Sequence, residues 1–216
     1  MLHLEPDECR VLGVLVEKAH TTPDQYPLSL NVLVSGCSQK SNRNPVRAYD
    51  EAQVYDTLEA LRRKGLVIEA HMSGSRVPKF RHNARETLGV DTAQLVLLVE
   101  MLLRGPQTVG ELRGRASRMK PFESTDAVME QLNALMQRDP PYVRHIAPAP
   151  GSRAERFGQL LCEDLHPLEE AAVAPAAPVA ARQDDQLATR LAQLELQVAE
   201  LREEVQKLGA ALGDSV

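Results

Sequence analysis

Tryptophan is absent from this 216-residue chain, and aromatic residues make up only 3% of it. Aliphatic side chains must therefore fill any core, and a hydrophobic share of 43% is ordinary for a globular protein. Cysteine is scarce: Cys9, Cys37 and Cys162 are odd in number and far apart. With no Cys-x-x-Cys and no His-x-x-x-His spacing, a disulfide framework and a zinc site are both disfavoured, and a reducing cytoplasm is the expected compartment. The longest unbroken apolar run, Leu95-Val96-Leu97-Leu98-Val99, is far too short to span a bilayer. Glu5, Asp7 and Glu8 stand where a signal peptide needs basic residues, so no membrane partner is expected. A Gly-rich phosphate loop is lacking. The six histidines (His3, His20, His71, His82, His145, His166) are scattered, and no nucleophile, base and orienting group can be assembled from them. Cys37 lies near Lys40, yet a small buried thiol is the better reading of it. The expectation is a non-enzymatic protein with no catalytic residues, no metal and no cofactor.

The net charge of −5 is unevenly placed. Residues 1–90 hold 12 Lys/Arg against 11 Asp/Glu, and residues 91–167 hold 9 against 10. Residues 168–216 hold 4 against 9, so the excess acid sits in the tail. An acidic protein overall can thus still present an anionic partner with a balanced or basic front.

The first 165 residues or so read as one unit written twice. The opening helix carries Leu12, Leu15, Val16 and Ala19 in the first copy and Leu95, Leu98, Val99 and Leu102 in the second. That i, i+3, i+4, i+7 spacing places all four on one helical face. Pro6 suits a first helical position, and Asp91 with Gln94 forms a capping-box pattern. A second helix follows Pro27 in one copy and Pro106 in the other, with Ser29 and Thr108 as N-caps. The third helix shows Val54, Leu58, Leu61 and then Val128, Leu132, Leu135; Asp50 with Gln53 caps the former and Gly65 ends it.

The period then changes to two. Leu66-Val67-Ile68 leads into Ser73-Gly74-Ser75-Arg76 and back to Phe80, and Tyr142 to Ile146 leads into Pro150-Gly151-Ser152-Arg153 and back to Phe157. Each is a hairpin signal. The expected fold is mainly α with small β-hairpins (α+β), as two tandem winged-helix domains, residues 1–88 and 89–166. A helical pair packed on a lone hairpin would give the same pattern, but the compact spacing favours the winged helix.

An Ala/Pro-rich linker is expected over 167–185, where Pro175 and Pro178 bar a helix. Beyond it Leu187, Leu191, Leu194, Val198, Leu201, Val205, Leu208 and Leu212 alternate steps of four and three. The expectation is the seam of a coiled coil over 186–213 and, through it, a homodimer or higher oligomer. A single amphipathic helix folded back on the globular part is the alternative.

Two stretches carry no acid. Gln25 to Tyr49 holds Lys40, Arg43 and Arg47, and Ala70 to Arg85 holds Arg76, Lys79, Arg81 and Arg85. In a winged helix these are the approach to the recognition helix and the wing, which sit beside DNA, so the seven are candidate nucleic-acid contacts for duplex DNA. Against that, the third helix carries Glu51, Asp56 and Glu59, which would repel phosphates. A protein-interaction adaptor that binds other proteins through the same surfaces is the rival. Arg43 also has a purely structural reading, in which it pins its loop to a carboxylate.

Thr21 to Asn31 and Gln39 to Val46, with Gly151-Ser152-Arg153-Ala154-Glu155-Arg156-Phe157, resemble the YceH-like family of bacterial proteins. Phe157 and Gln159 depart from the Tyr and His expected there. The resemblance implies a tandem winged-helix fold and brings no activity and no functional residues.

Overall fold

The opening helix, α1 (Pro6–Thr21), starts at Pro6 behind a capping box made by Glu5 and Glu8. A computed structural model describes residues 2–70, 77–148 and 154–166. After a 3₁₀ turn over Pro23–Gln25 come β1 (Leu28–Ser29), α2 (Leu30–Cys37) and α3 (Glu51–Arg63). Asp50 and Gln53 cap α3 reciprocally, and Gly65 stops it in the left-handed region at φ 73°, where a side chain would be strained. Strands β2 (Val67–Ala70) and β3 (Lys79–His82) follow, then a short helix, α4 (Ala84–Leu88).

The second copy runs α5 (Thr92–Arg104), α6 (Val109–Ala116), α7 (Thr125–Met136), β4 (Val143–Ile146) and β5 (Arg156–Gln159). Asp91 with Gln94 caps α5, and Thr108 with Glu111 caps α6. Ser29 stands at the N-cap of α2 but makes no side-chain cap bond there. The described residues are thus mainly helical with small antiparallel sheets.

The two sheets repeat one design. In the first, the strand order is β1-β3-β2, with Leu28 opposite Phe80. In the second, β4 pairs with β5, and an isolated bridge joins Gln107 to Phe157. Leu28 follows Pro27 as Gln107 follows Pro106, so the third strand of the first sheet survives in the second as one bridge.

Cross-strand partners share a face, so Leu28, Val67 and Phe80 turn into the core while Ser29, Lys79 and Arg81 turn away from it. Val54, Leu58 and Leu61 of α3 are fully buried, as are Val128, Leu132 and Leu135 of α7.

The repeats meet along α1 and α5 within one compact unit, Met1–Ala171. Every residue of α1 from Glu8 to Glu17 is buried, because α2 and α3 cover one side and α5 the other. A Cβ added at Gly13 would lie 2.7 Å from Leu103 Cδ2, so glycine is what lets the two helices come this close. Burial of an aliphatic side chain contributes roughly 1.5–3 kcal/mol, and the stretch from Leu95 to Leu103 on α5, apolar but for Glu100, is buried throughout. The contact between repeats is therefore part of the hydrophobic core.

Candidate nucleic-acid interface

The loop between α2 and α3 carries the three cations of the first basic stretch, and of these Arg43 is buried while Lys40 and Arg47 are exposed. Asn42 adopts φ 61°, a left-handed conformation that asparagine tolerates better than most residues. This turns Arg43 back into the protein. Its Nε donates to Gly36 O (3.2 Å), Nη1 to Asn42 O (2.8 Å), and Nη2 to Glu17 Oε2 (2.5 Å) and Gln39 Oε1 (2.9 Å). The Arg43 side chain is 0% exposed and that of Glu17 is 3% exposed. Arg43 therefore pins its loop to a carboxylate and is withdrawn from any surface that could meet a phosphate.

Asn44 then ties the loop to the other repeat. Its N–H donates to Leu103 O (2.8 Å) and its Nδ2 to Arg104 O (3.3 Å). His166 Nε2 lies 2.6 Å from Asn44 O; a carbonyl can only accept, so the ring donates from Nε2. Arg10, itself buried, donates to Cys37 O and Pro45 O, tying the end of α2 to the middle of the same loop.

Charges from both repeats converge beneath this loop. Arg118 pairs through Nη1 with Glu17 (2.5 Å) and through Nη2 with Glu100 (2.8 Å). Arg104 Nε lies 2.9 Å from Glu100 Oε2 but off the hydrogen-bond direction, an electrostatic contact. Burial pushes the Glu17 carboxyl up, but Arg43 and Arg118 outweigh it and hold the group below its ordinary value. Burial pulls the Arg104 guanidinium down, with repulsion from Arg118 and Arg115 added, against the attraction of Glu100.

The remaining candidates sit on the surface. Lys40 is exposed, and no ion pair engages it among the described residues. Arg47 is exposed and 3.6 Å from Asp7, while Arg85 is exposed and 3.5 Å from Glu86. Lys79 is partly buried and Arg81 exposed, both on the outward face of β3, and no carboxylate pairs with either among the described residues. Arg76 lies outside the described residues, as do the seam positions Leu187, Leu191, Leu194, Val198, Leu201, Val205, Leu208 and Leu212.

On α3, a turn of 100° per residue puts Ala52, Asp56, Glu59 and Arg63 opposite the buried stripe. Glu59 is engaged by Arg62, which also reaches Glu69 on β2 at 3.0 Å. In the second repeat, the segment from Pro121 to Gln137 contains no cation at all. Among the described residues no three His, Cys, Asp or Glu side chains converge as a metal-binding group, and no helix is long and apolar enough to cross a membrane.

Residues 4–153, which take in the first repeat and the second as far as β4, match the family model described as "Protein of unknown function, DUF480". The chain belongs to this family. Its relatives include a UPF0502 protein of Geobacter sulfurreducens, 46% identical over 196 residues, covering 90% of this chain and 88% of the relative. A UPF0502 protein of Pelobacter propionicus is 44% identical over 215 residues, covering 98% and 95%. A UPF0502 protein of Shewanella pealeana is 42% identical over 213 residues, covering 96% and 99%. These relatives match nearly the whole chain, tail included.

Three residues that matter to this DUF480 surface gave no signal in the sequence. Lys18 lies on the helical stretch before Thr21 and resembles any solvated lysine. Arg118 looked like one of several cations around the turn of the second repeat, because its partners Glu17 and Glu100 are 101 and 18 residues away in the chain. Tyr55, 47% exposed on α3, is a large apolar side chain set on an otherwise charged face.

Proposed function

We propose that this protein is a non-enzymatic, DNA-associated regulatory protein built from two winged-helix domains, 1–88 and 89–166, and dimerised by a coiled coil over 186–213. The element order supports the winged helix: helix, short strand, two helices and a hairpin, with the short strand pairing against the second hairpin strand. The observation that carries DNA association is the placement of Lys79 and Arg81 together on the outward face of β3, with no carboxylate paired to them among the described residues. That strand returns from the hairpin tip, the element a winged helix lays along the backbone. Lys40, and Arg47 and Arg85 through weak exposed pairs, add positive charge that a phosphate can recruit. Contacts of this kind position a protein on DNA without reading sequence.

The test is fluorescence anisotropy with a random-sequence duplex and the variant Arg76→Gln/Lys79→Gln/Arg81→Gln. Binding weakened across all sequences supports the reading; unchanged affinity removes the hairpin from it.

An adaptor is the second reading, and α3 favours it. Its outward Asp56 and Glu59 would repel a phosphate backbone, whereas exposed Tyr55 suits a protein partner. The absence of any cation from Pro121 to Gln137 argues the same way for α7. Wild-type protein that leaves duplex DNA unbound at low salt would shift the assignment to the adaptor.

A further inference from the structure

Beside the buried junction, where α1 ends and the α2–α3 loop turns, lies an open groove of about 570 Å³. It falls within the volume range of small-molecule sites, about 300–1,000 Å³. Its lining differs from the usual apolar one. Among the described residues no hydrocarbon or aromatic side chain borders it, which argues against a lipid-like ligand or a stacked base. Three cations do: Lys18, Lys40 and Arg118.

The charge balance around the groove is positive. Two carboxylates, Glu17 and Glu100, are surrounded by three guanidiniums, those of Arg43, Arg104 and Arg118. Glu17 reaches the groove but is already claimed by two of them. Lys18 and Lys40 at the rim have no ion-pair partner among the described residues. Arg118 donates from Nε and Nη2 to Glu100 Oε1 and pairs through Nη1 with Glu17, and its side chain is still 30% exposed at the groove.

The carbonyl end of α1, which would oppose an anion, is partly neutralised from within. Thr21 Oγ1 donates to Glu17 O (2.9 Å), and Thr22 donates to Lys18 O from both Oγ1 (3.2 Å) and its backbone N–H (3.0 Å). The rest of the lining is neutral and polar: Gln39, Ser41 and Asn42 offer hydroxyl and amide groups, and the latter two are exposed. Such groups match the hydroxyls of a sugar.

We propose that this groove binds a small phosphorylated sugar, its phosphate held by Lys18, Lys40 and Arg118 and its hydroxyls by Gln39, Ser41 and Asn42. The site lies where residues of both repeats meet, so a ligand there touches α1, the α2–α3 loop and the segment after α6 at once. It does not rest on the DNA reading, with which it shares only Lys40.

Isothermal titration calorimetry of the full chain with glucose 6-phosphate, ribose 5-phosphate and glycerol 3-phosphate tests the assignment. The expected result is a saturable heat with at least one of the three. The double variant Lys18→Gln/Lys40→Gln should weaken that affinity at least tenfold while keeping the melting temperature of the ligand-free protein, since neither lysine has an ion-pair partner among the described residues. Lys79→Gln/Arg81→Gln, which bears on DNA, should leave the heat unchanged. No saturable heat up to about 10 mM with any of the three overturns the proposal. So does undiminished binding by Lys18→Gln/Lys40→Gln, or equal binding of glucose. Inorganic phosphate binding as tightly as the sugar phosphates overturns the sugar half of the assignment. Loss of DNA binding with the heat retained refutes only the DNA reading.

Discussion

Replacing Glu17 with leucine removes the carboxylate that joins the α2–α3 loop to the second repeat. In the wild type it faces Arg43 Nη2 on one oxygen and Arg118 Nη1 on the other, each at 2.5 Å. Removing one partner of a buried pair costs about 3–5 kcal/mol, because a charge is left uncompensated. Here the other groups soften the loss. Arg43 keeps Gly36 O, Asn42 O and Gln39 Oε1, and Arg118 keeps Glu100. The expected loss is therefore at the low end, about 3 kcal/mol. For a unit of this size that lowers the melting temperature by about 6–12 °C.

Urea and thermal unfolding at pH 7, followed by circular dichroism, would measure it. Arg43→Met alone should also destabilise, and the double variant should lose less than the sum by about 1–3 kcal/mol, the signature of direct coupling. Because the folded state holds the Glu17 carboxyl below its ordinary value of 4.5, its contribution is complete above that pH. It fades as pH falls through the lower folded value, so the Glu17→Leu variant should lack this part of acid unfolding. A loss under about 1 kcal/mol, or strict additivity in the double variant, would refute the reasoning.

Gly13→Ala should destabilise by about 1–3 kcal/mol despite its gain in helix propensity, because the new Cβ meets buried Leu103. Gly114→Ala on α6, where an added Cβ meets nothing within 4 Å, should instead stabilise by about 0.5–1 kcal/mol; both are read from urea midpoints. Burial, with His20, Arg81 and Arg85 nearby, pushes the His82 imidazole from 6.5 down to about 4, so the fold prefers the neutral ring. Stability should be complete above the unfolded value and fall by on the order of 1–2 kcal/mol between pH 7 and pH 5. A slope in urea midpoint that persists undiminished in His82→Gln would contradict this. Deleting residues 186–216 should leave the two repeats folded and shift the protein to monomer in light scattering. Intact protein that is already monomeric at micromolar concentration would end the coiled-coil proposal.

The helices were legible because their signals are local. The stripes of α3 and α7, the Asp50–Gln53 and Asp91–Gln94 boxes and the stop at Gly65 each lie within a turn or two of chain. Strand β1 was missed because Leu28-Ser29 is too short to show alternation, and only its pairing with β3 makes it a strand. On α1 the stripe Leu12, Leu15, Val16 marked one buried face, but Cys9, Arg10 and Val14 are buried as well. Periodicity cannot show that a second helix, 80 or more residues later, covers the far side.

The basic stretches were only half informative for a similar reason. An acid-free window says nothing about carboxylates elsewhere, and Glu17 on α1 takes Arg43 out of the surface set. Of the two readings the sequence left open for Arg43, the loop pin is the one the structure contains. The cations that stay outward, Lys40, Lys79 and Arg81, owe their placement to loop and strand orientation, which the sequence alone does not specify.

A titration of the wild-type protein against a random-sequence duplex, repeated from about 50 to 200 mM salt, tests DNA association most directly. With about four phosphates neutralised, log K should fall with log salt at a slope near −3.6. Binding that is absent at about 50 mM salt and tens of micromolar protein, or that ignores salt, would contradict the account.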